Sequence, residues 1–166
     1  RYEVIDGELF VTPAPSWPHQ RAAFHLARLL APHAEQLALE CLIAPAEVAF
    51  SQRRSVEPDV FVVPLVHARP ATCFEDVQRL VLAVEVISPS TARADRYRKR
   101  YLYQSEGVAE YWIVDPDARF VERWRPGDDA PEILVESLAW APRENVEPLV
   151  IDLAGYFRRV HGEATQ

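Results

Sequence analysis

Two carboxylates and one amine are spaced so that they could hydrolyse a phosphodiester. Asp59 follows Pro58 at the start of an apolar strand, and Glu85 lies inside the most apolar segment, residues 80–87. Lys99 is the one lysine among eighteen basic residues, the others being arginine. Arginine replaces lysine in most surface roles but not where a compact point charge is needed. Taken alone, a single lysine could simply reflect a codon bias toward arginine. The two carboxylates that precede Lys99 in the sequence favour a chemical role.

Carboxylates on neighbouring strands suit a hard divalent cation. A glutamate inside an apolar strand is costly unless it is paired or ligates a metal. Mg²⁺ or Mn²⁺ takes one or two carboxylates with phosphate and water. Asp59, Glu85 and the backbone carbonyl of Val86 could supply that partial shell, with the Lys99 ammonium orienting an attacking water. Two alternatives stay open: Glu85 at a solvent-facing edge, or a structural ion pair with Lys99 or an arginine.

The elements around these residues alternate between strands and helices. Asp6-Gly7 between two apolar stretches predicts a β-hairpin with a type I′ turn. Ser16 can cap a helix that extends to about residue 38, with a kink or break expected at Pro32. Further strands are predicted at 39–44, 47–50, 58–64, 79–87, 110–115, 120–125 and 132–138. A polar turn is predicted at 53–55 and an irregular connection at 66–78. A last strand at 149–152 leads into a helix that extends through Val160. We therefore predict one α/β (α+β) domain over residues 1–166, with helices on the faces of a sheet.

A basic helix follows the strand that holds Glu85. We expect Ser90 or Thr91 to cap it and Gly107 to end it. Asp95, Lys99 and Tyr103 recur at steps of four, so they lie on or beside one face of the helix. Residues 91–101 of this helix carry a net charge of +4 in a chain whose net charge is −7. A solvated, salt-bridged helix is the alternative to phosphate binding, for which the candidates are Arg93, Arg96, Arg98 and Arg100.

The composition and the missing motifs argue against several classes of protein. No apolar run approaches the roughly 18 residues of a membrane span. The two cysteines, Cys41 and Cys73, make neither a disulfide framework nor a zinc motif, which favours free thiols and a cytoplasmic location. The chain has no glycine-rich nucleotide motif and no serine-hydrolase elbow.

The motifs resemble one family over roughly residues 2–155. Pro58-Asp59 followed by Glu85-Val86 is similar to the motif of the PD-(D/E)XK nuclease superfamily. The sequence around these residues resembles the Uma2 branch of that superfamily more closely still. The other matching stretches are residues 2–9, 85–91 and 107–115, and Asp95 with Lys99 and Tyr103.

The resemblance implies a restriction-endonuclease-like core: a mixed β-sheet flanked by helices, with an N-terminal hairpin. It also implies a site for Mg²⁺ (or Mn²⁺) at Asp59 and Glu85, supported by a lysine. The superfamily lysine expected two residues after Glu85 is Ile87 here, and in the Uma2 pattern Lys99 takes its place. Glu3 resembles a family position near the site. His19, in the first turn of the first helix, could reach the site, although a capping or solvent-exposed histidine is the more common case.

The function expected from this resemblance is that of a metal-dependent endonuclease acting on nucleic acid, specifically DNA. One cleavage centre cuts one strand, so cutting both strands favours a homodimer. The first alternative is an inactive nuclease-like fold that binds nucleic acid or assembles with partners, which the acidic composition favours. A two-carboxylate glycosidase is the second, and it leaves the basic helix unexplained.

Overall fold

The centre of the fold is a six-stranded mixed sheet. The computed structural model describes residues 2–77, 79–88 and 91–163. In spatial order the strands are β10 (Glu132–Leu134), β9 (Phe120–Trp124), β8 (Glu110–Asp115), β7 (Leu82–Val86), β6 (Val60–Pro64) and β3 (Leu39–Ile43). Only β7 and β8 pair in parallel among these neighbours, because a helical crossover joins them. The predicted mixed sheet is confirmed.

A smaller antiparallel sheet contains the N-terminal hairpin. Its order is β2 (Glu8–Val11), β1 (Tyr2–Ile5), β5 (Arg54–Val56) and β4 (Val48–Ser51). Asp6 and Gly7 have φ of 52° and 87°, the two positive values that a type I′ turn requires. The polar turn predicted at 53–55 is wrong in part: Ser55 pairs with Val4, so residues 54–56 form a strand.

Helices cover both faces of the central sheet. One face carries α1 (Trp17–Gln36), α4 (Leu153–His161) and the strand pair β11 (Ser137–Trp140) and β12 (Leu149–Asp152). The other face carries the π-helix Ala94–Lys99, α3 (Arg100–Ser105) and the smaller sheet. A short helix, α2 (Phe74–Val77), lies where an irregular connection was expected. The strand predicted at 132–138 is instead divided between β10, which pairs with β9, and β11, which pairs with β12.

The expected break at Pro32 does not occur. Helix α1 continues through Pro32 to Gln36. Leu30 and Ala34 are completely buried on either side of it, and this packing outweighs the one lost backbone hydrogen bond. The predicted cap is present, since the Ser16 hydroxyl accepts from the His19 N–H at 3.4 Å.

Alternation along β7 decides where Glu85 points. Val84 and Val86 belong to the core cluster beneath α1 and α4. Ala83 and Ile87 belong to the cluster on the opposite face, with Leu102 of α3. Because side chains alternate along a strand, Glu85 projects toward the π-helix and α3. Within the described ranges, no helix is both long and apolar enough to cross a bilayer.

Candidate functional site

The two carboxylates predicted to share a cation face each other across β6 and β7. Val60 pairs with Val84 in the antiparallel register, and one further step places Asp59 opposite Glu85. Side chains directly opposite in such a pair have Cβ atoms about 4.5–5.5 Å apart. Asp59 Oδ2 also accepts the Val86 N–H at 2.8 Å, which ties it to the end of β7.

Lys99 is the centre of a buried cluster of acids. Its Nζ lies 2.9 Å from Glu3 Oε1, 3.0 Å from Glu85 Oε1 and 3.5 Å from Asp95 Oδ1. All four side chains are at most 5% exposed. The three carboxylates come from β1, β7 and the π-helix, so one ammonium joins both sheets and the crossover helix.

The π-helix is anchored by a tyrosine of the central sheet. The Arg100 N–H reaches back five residues to the Asp95 carbonyl, and the Tyr111 hydroxyl donates to the same carbonyl at 3.1 Å. A widened turn is a common feature of functional sites. Here it holds Asp95 and Lys99 inward from one short segment, and both are buried.

Hydrogen bonds fix the orientation of the acids. The Tyr103 hydroxyl donates to Glu85 Oε1 at 2.9 Å, the same oxygen that Lys99 contacts. The Glu57 N–H donates to Glu3 Oε1 at 2.9 Å. Both described donors to Glu85 therefore converge on Oε1.

His19 joins the site from helix α1. Its Nε2 lies 3.1 Å from Asp59 Oδ2, and its side chain is 8% exposed. Its Nδ1 is buried and has no hydrogen-bond partner among the described residues. His19 and the Val86 N–H thus contact the same oxygen of Asp59, and the second nitrogen of His19 has no partner within the described residues.

Burial dominates the electrostatics of the cluster. It raises the pKa of the Glu85 carboxyl well above its usual range; Lys99 opposes this shift, while Asp59, Asp95 and Glu3 add to it. Burial also raises the pKa of Asp95. For Lys99, burial acts to lower the pKa, but Glu85, Asp95 and Glu3 outweigh it and raise the pKa. Lys99 is therefore a fixed positive charge.

The donor set fits a weakly coordinated hard cation rather than a closed metal cage. No group of three or more His, Cys, Asp or Glu side chains in the described part of the chain has the geometry to ligate a metal by itself. Magnesium commonly takes only one or two carboxylates, with water and phosphate completing its shell. Asp59 and Glu85 meet that requirement, and the three buried carboxylates around the Lys99 ammonium, with buried Asp59 beside Glu85, leave negative charge for a cation to balance.

The four arginines proposed to contact phosphate differ in their surroundings. Arg96 pairs with Glu122 at 2.6 Å and with Asp115. Arg100 lies over the rings of Tyr101 and Trp124. Arg98 pairs with Glu8, whereas Arg93 is exposed and forms no ion pair within the described residues. Of the four arginines, Arg93 is therefore the one whose described surroundings include neither an acid partner nor a stacked ring. Arg98 is exposed but shares its charge with Glu8.

Most of the residues singled out from sequence lie together. The structure groups Glu3, His19, Asp59, Glu85, Asp95, Lys99 and Tyr103 at one end of the central sheet. Val86, expected to offer its carbonyl, contacts Asp59 through its N–H. Tyr111 was missed, because an aromatic residue in an apolar strand gives no signal that its hydroxyl supports a helix. Ser90 lies outside the described residues.

The fold matches that of a solved nuclease-like protein, and the sequence matches one family. The Uma2 family, described as "Putative restriction endonuclease", matches residues 1–152, and the chain belongs to it. A crystal structure described as a putative nuclease of DUF820 from Anabaena variabilis has a TM-score of 0.77 at 17% identity, over 96% of this chain and 90% of that one. That likeness confirms the fold. No curated protein matches the chain.

Removing the central ammonium should destabilise the protein more than removing an exposed cation of the same helix. Lys99→Met leaves buried carboxylates uncompensated, and we expect the free energy of unfolding in EDTA to fall by about 3–5 kcal/mol. Arg98→Met removes an exposed ion pair on the same helix and should change it by less than about 1 kcal/mol. Equal stability of the two variants in urea denaturation would contradict a central role for Lys99.

Glu85→Gln should gain stability relative to wild type as the pH rises to neutral. Because the fold raises the pKa of Glu85, the protonated carboxyl contributes stability below the ordinary glutamate pKa of about 4.3. That contribution is lost as the pH rises through the higher folded-state pKa. The amide cannot ionise, so the difference in unfolding free energy between Glu85→Gln and wild type in EDTA should move in favour of the variant from pH 4 to pH 8. A difference that is constant or moves the other way would refute the assigned pKa direction.

Proposed function

We propose that this chain is a metal-dependent endonuclease that hydrolyses phosphodiester bonds in DNA. The observation that carries the proposal is the buried pair Asp59 and Glu85, opposite each other on adjacent strands, with the Lys99 Nζ 3.0 Å from Glu85. Membership of a family described as restriction endonucleases supports it. The two-carboxylate glycosidase is disfavoured because an ammonium occupies the centre of the acids.

Asp59 and Glu85 would hold Mg²⁺ or Mn²⁺, possible alternatives for one site, with the Val86 carbonyl as a candidate third oxygen. When bound, such an ion lowers the pKa of a coordinated water and polarises a phosphoryl oxygen. The acids around Lys99 raise its pKa, which favours a charge-stabilising role over that of a general base. Its positive charge instead offsets negative charge that develops on the phosphate, and its contacts to Glu3 and Asp95 hold it in place.

The alternative function is a nuclease-like fold that binds nucleic acid or a partner without cleaving. The observation that favours it is the saturation of Lys99 by three carboxylates, which is also what a purely structural ion cluster would look like. The two functions differ in whether Asp59 and Glu85 are needed for turnover.

Nicking of supercoiled plasmid in Mg²⁺ tests the endonuclease. We expect Asp59→Asn and Glu85→Gln to reduce the rate by about 100-fold or more, because each removes a charge that holds the ion. Glu122→Gln is the matched control: it alters a buried acid of β9 that pairs with Arg96, and it should nick DNA at close to the wild-type rate. Equal nicking by Glu85→Gln and wild type would rule the proposal out.

His19 should tune the metal affinity through Asp59. Residues that orient a metal ligand typically contribute 10–100-fold to affinity. We expect His19→Ala to weaken Mn²⁺ binding by about that factor in calorimetry, with a short oligonucleotide present. His25→Ala, on the same helix, should leave it unchanged. Absence of Mn²⁺ binding by wild type would favour the binding module, and unchanged affinity in His19→Ala would remove His19 from the site.

We also propose that the protein acts as a homodimer. Two large aromatic side chains two turns apart on α1 are exposed, Trp17 at 81% and Phe24 at 54%, and they offer an apolar surface to a second copy. Light scattering should give twice the mass of the chain, and Trp17→Glu should lower it to that of one chain. A monomeric mass for wild type at micromolar concentration would contradict the dimer.

A cytoplasmic location completes the proposal. Cys41 and Cys73 are both unlinked, as expected for a protein in a reducing compartment.

A further inference from the structure

A groove borders the site between the N-terminal hairpin and the outer side of the π-helix. We call it the hairpin groove. Its lining residues are Phe10, Arg93, Ala94, Tyr97 and Arg98. It continues beyond Arg98 to the exposed ring of Tyr101, along the hairpin residues Ile5, Asp6 and Glu8.

The hairpin groove adjoins the elements that carry the buried cluster. Phe10 pairs with Glu3 across β1 and β2, so their side chains lie on the same side of the hairpin. Glu3 contacts the Lys99 ammonium. On the helix, Ala94 of the groove precedes Asp95 of the cluster. A molecule lying in the groove would therefore lie beside the proposed cleavage centre.

The chemistry of the groove is aromatic with little free charge. Tyr97 is 61% exposed, and Phe10 is partly buried beneath the guanidinium of Arg98, 4.7 Å from its ring. Arg98 is also paired with Glu8. Arg93 is thus the cation left to meet a phosphate within the described residues of the groove.

We propose that the hairpin groove binds single-stranded DNA, with an unstacked base on Tyr97 and a backbone phosphate on Arg93. This inference rests on the proposed nuclease function and names the form of its substrate. Duplex binding relies on neutralising many phosphates, which the one unpaired arginine described in the groove does not supply. Single strands instead gain much of their affinity by stacking bases on aromatic rings.

The length of the groove fits a short stretch of strand. Tyr97 and Tyr101 are four residues apart on one helical segment, which corresponds to about 5–6 Å between Cβ atoms. Two exposed rings at that spacing offer stacking surfaces to neighbouring bases. The acids Asp6 and Glu8 lie near the Tyr101 end, so we place the phosphate at the opposite end, at Arg93.

Fluorescence anisotropy with a labelled oligo-dT and a duplex of the same length tests the proposal. The full-length Glu85→Gln protein in EDTA is used so that no strand is cut. We expect oligo-dT to bind more tightly than the duplex, and Tyr97→Ala and Arg93→Ala each to weaken binding of oligo-dT, the former by about 5- to 100-fold.

Two control variants distinguish stacking from general effects. Tyr97→Phe keeps the ring and should retain the affinity. Arg143→Ala removes an exposed arginine from the loop between β11 and β12 and should also leave the affinity unchanged. Unchanged binding in Tyr97→Ala, tighter binding of the duplex or of oligo-U, or no binding of oligo-dT would each overturn the proposal.

The outcome separates this inference from the proposed function. If Glu85 is required for nicking but Tyr97→Ala nicks with an unchanged KM, the groove assignment fails and the endonuclease stands. If Tyr97 is required for binding oligo-dT but no variant or wild type nicks DNA, the groove assignment stands and the endonuclease fails.

Discussion

The folded site depends on one buried ammonium. Lys99 compensates carboxylates from β1, β7 and its own helix, and without it their mutual repulsion in a low-dielectric interior would favour opening of the structure. Each strand and helix that contributes an acid is therefore held by the same charge. Lysine suits this role because its compact ammonium can donate to several acceptors in different directions, whereas the planar fork of arginine favours one partner.

The cluster is held together by Lys99 but keeps an excess of acidic groups that a cation could balance. The acids exceed the ammonium in number, and burial raises the pKa of Glu85 and of Asp95. A divalent ion at Asp59 and Glu85 would relieve that imbalance, since it favours the ionised carboxylates that ligate it. Lys99 contacts Glu85 through Oε1, the oxygen that Tyr103 also contacts, so the ammonium and an ion could share one carboxylate.

Several features of the fold followed from local chemistry. Asp6-Gly7 determined the hairpin, because its two positive φ angles suit few other residue pairs. A buried ion pair between Glu85 and Lys99 was one of the alternatives that the sequence left open, and the structure places the two charged groups 3.0 Å apart. These inferences needed only the residue types and their spacing.

Other features depend on tertiary contacts that spacing does not encode. The π-helix requires the Tyr111 hydroxyl at the Asp95 carbonyl, and Tyr111 comes from another strand. Helix α1 passes through Pro32 because buried neighbours hold it. The arginines of the basic helix were expected to be available, but Arg96 is paired with an acid of β9, far along the chain.

A crystal of the protein grown with Mn²⁺ tests the central claim most directly, since anomalous scattering locates that ion. The account predicts one anomalous peak in contact with the carboxylates of both Asp59 and Glu85, with the Lys99 ammonium still bonded to Glu85. A peak at another position, or none at this pair in crystals that contain the ion together with a DNA strand, would contradict it.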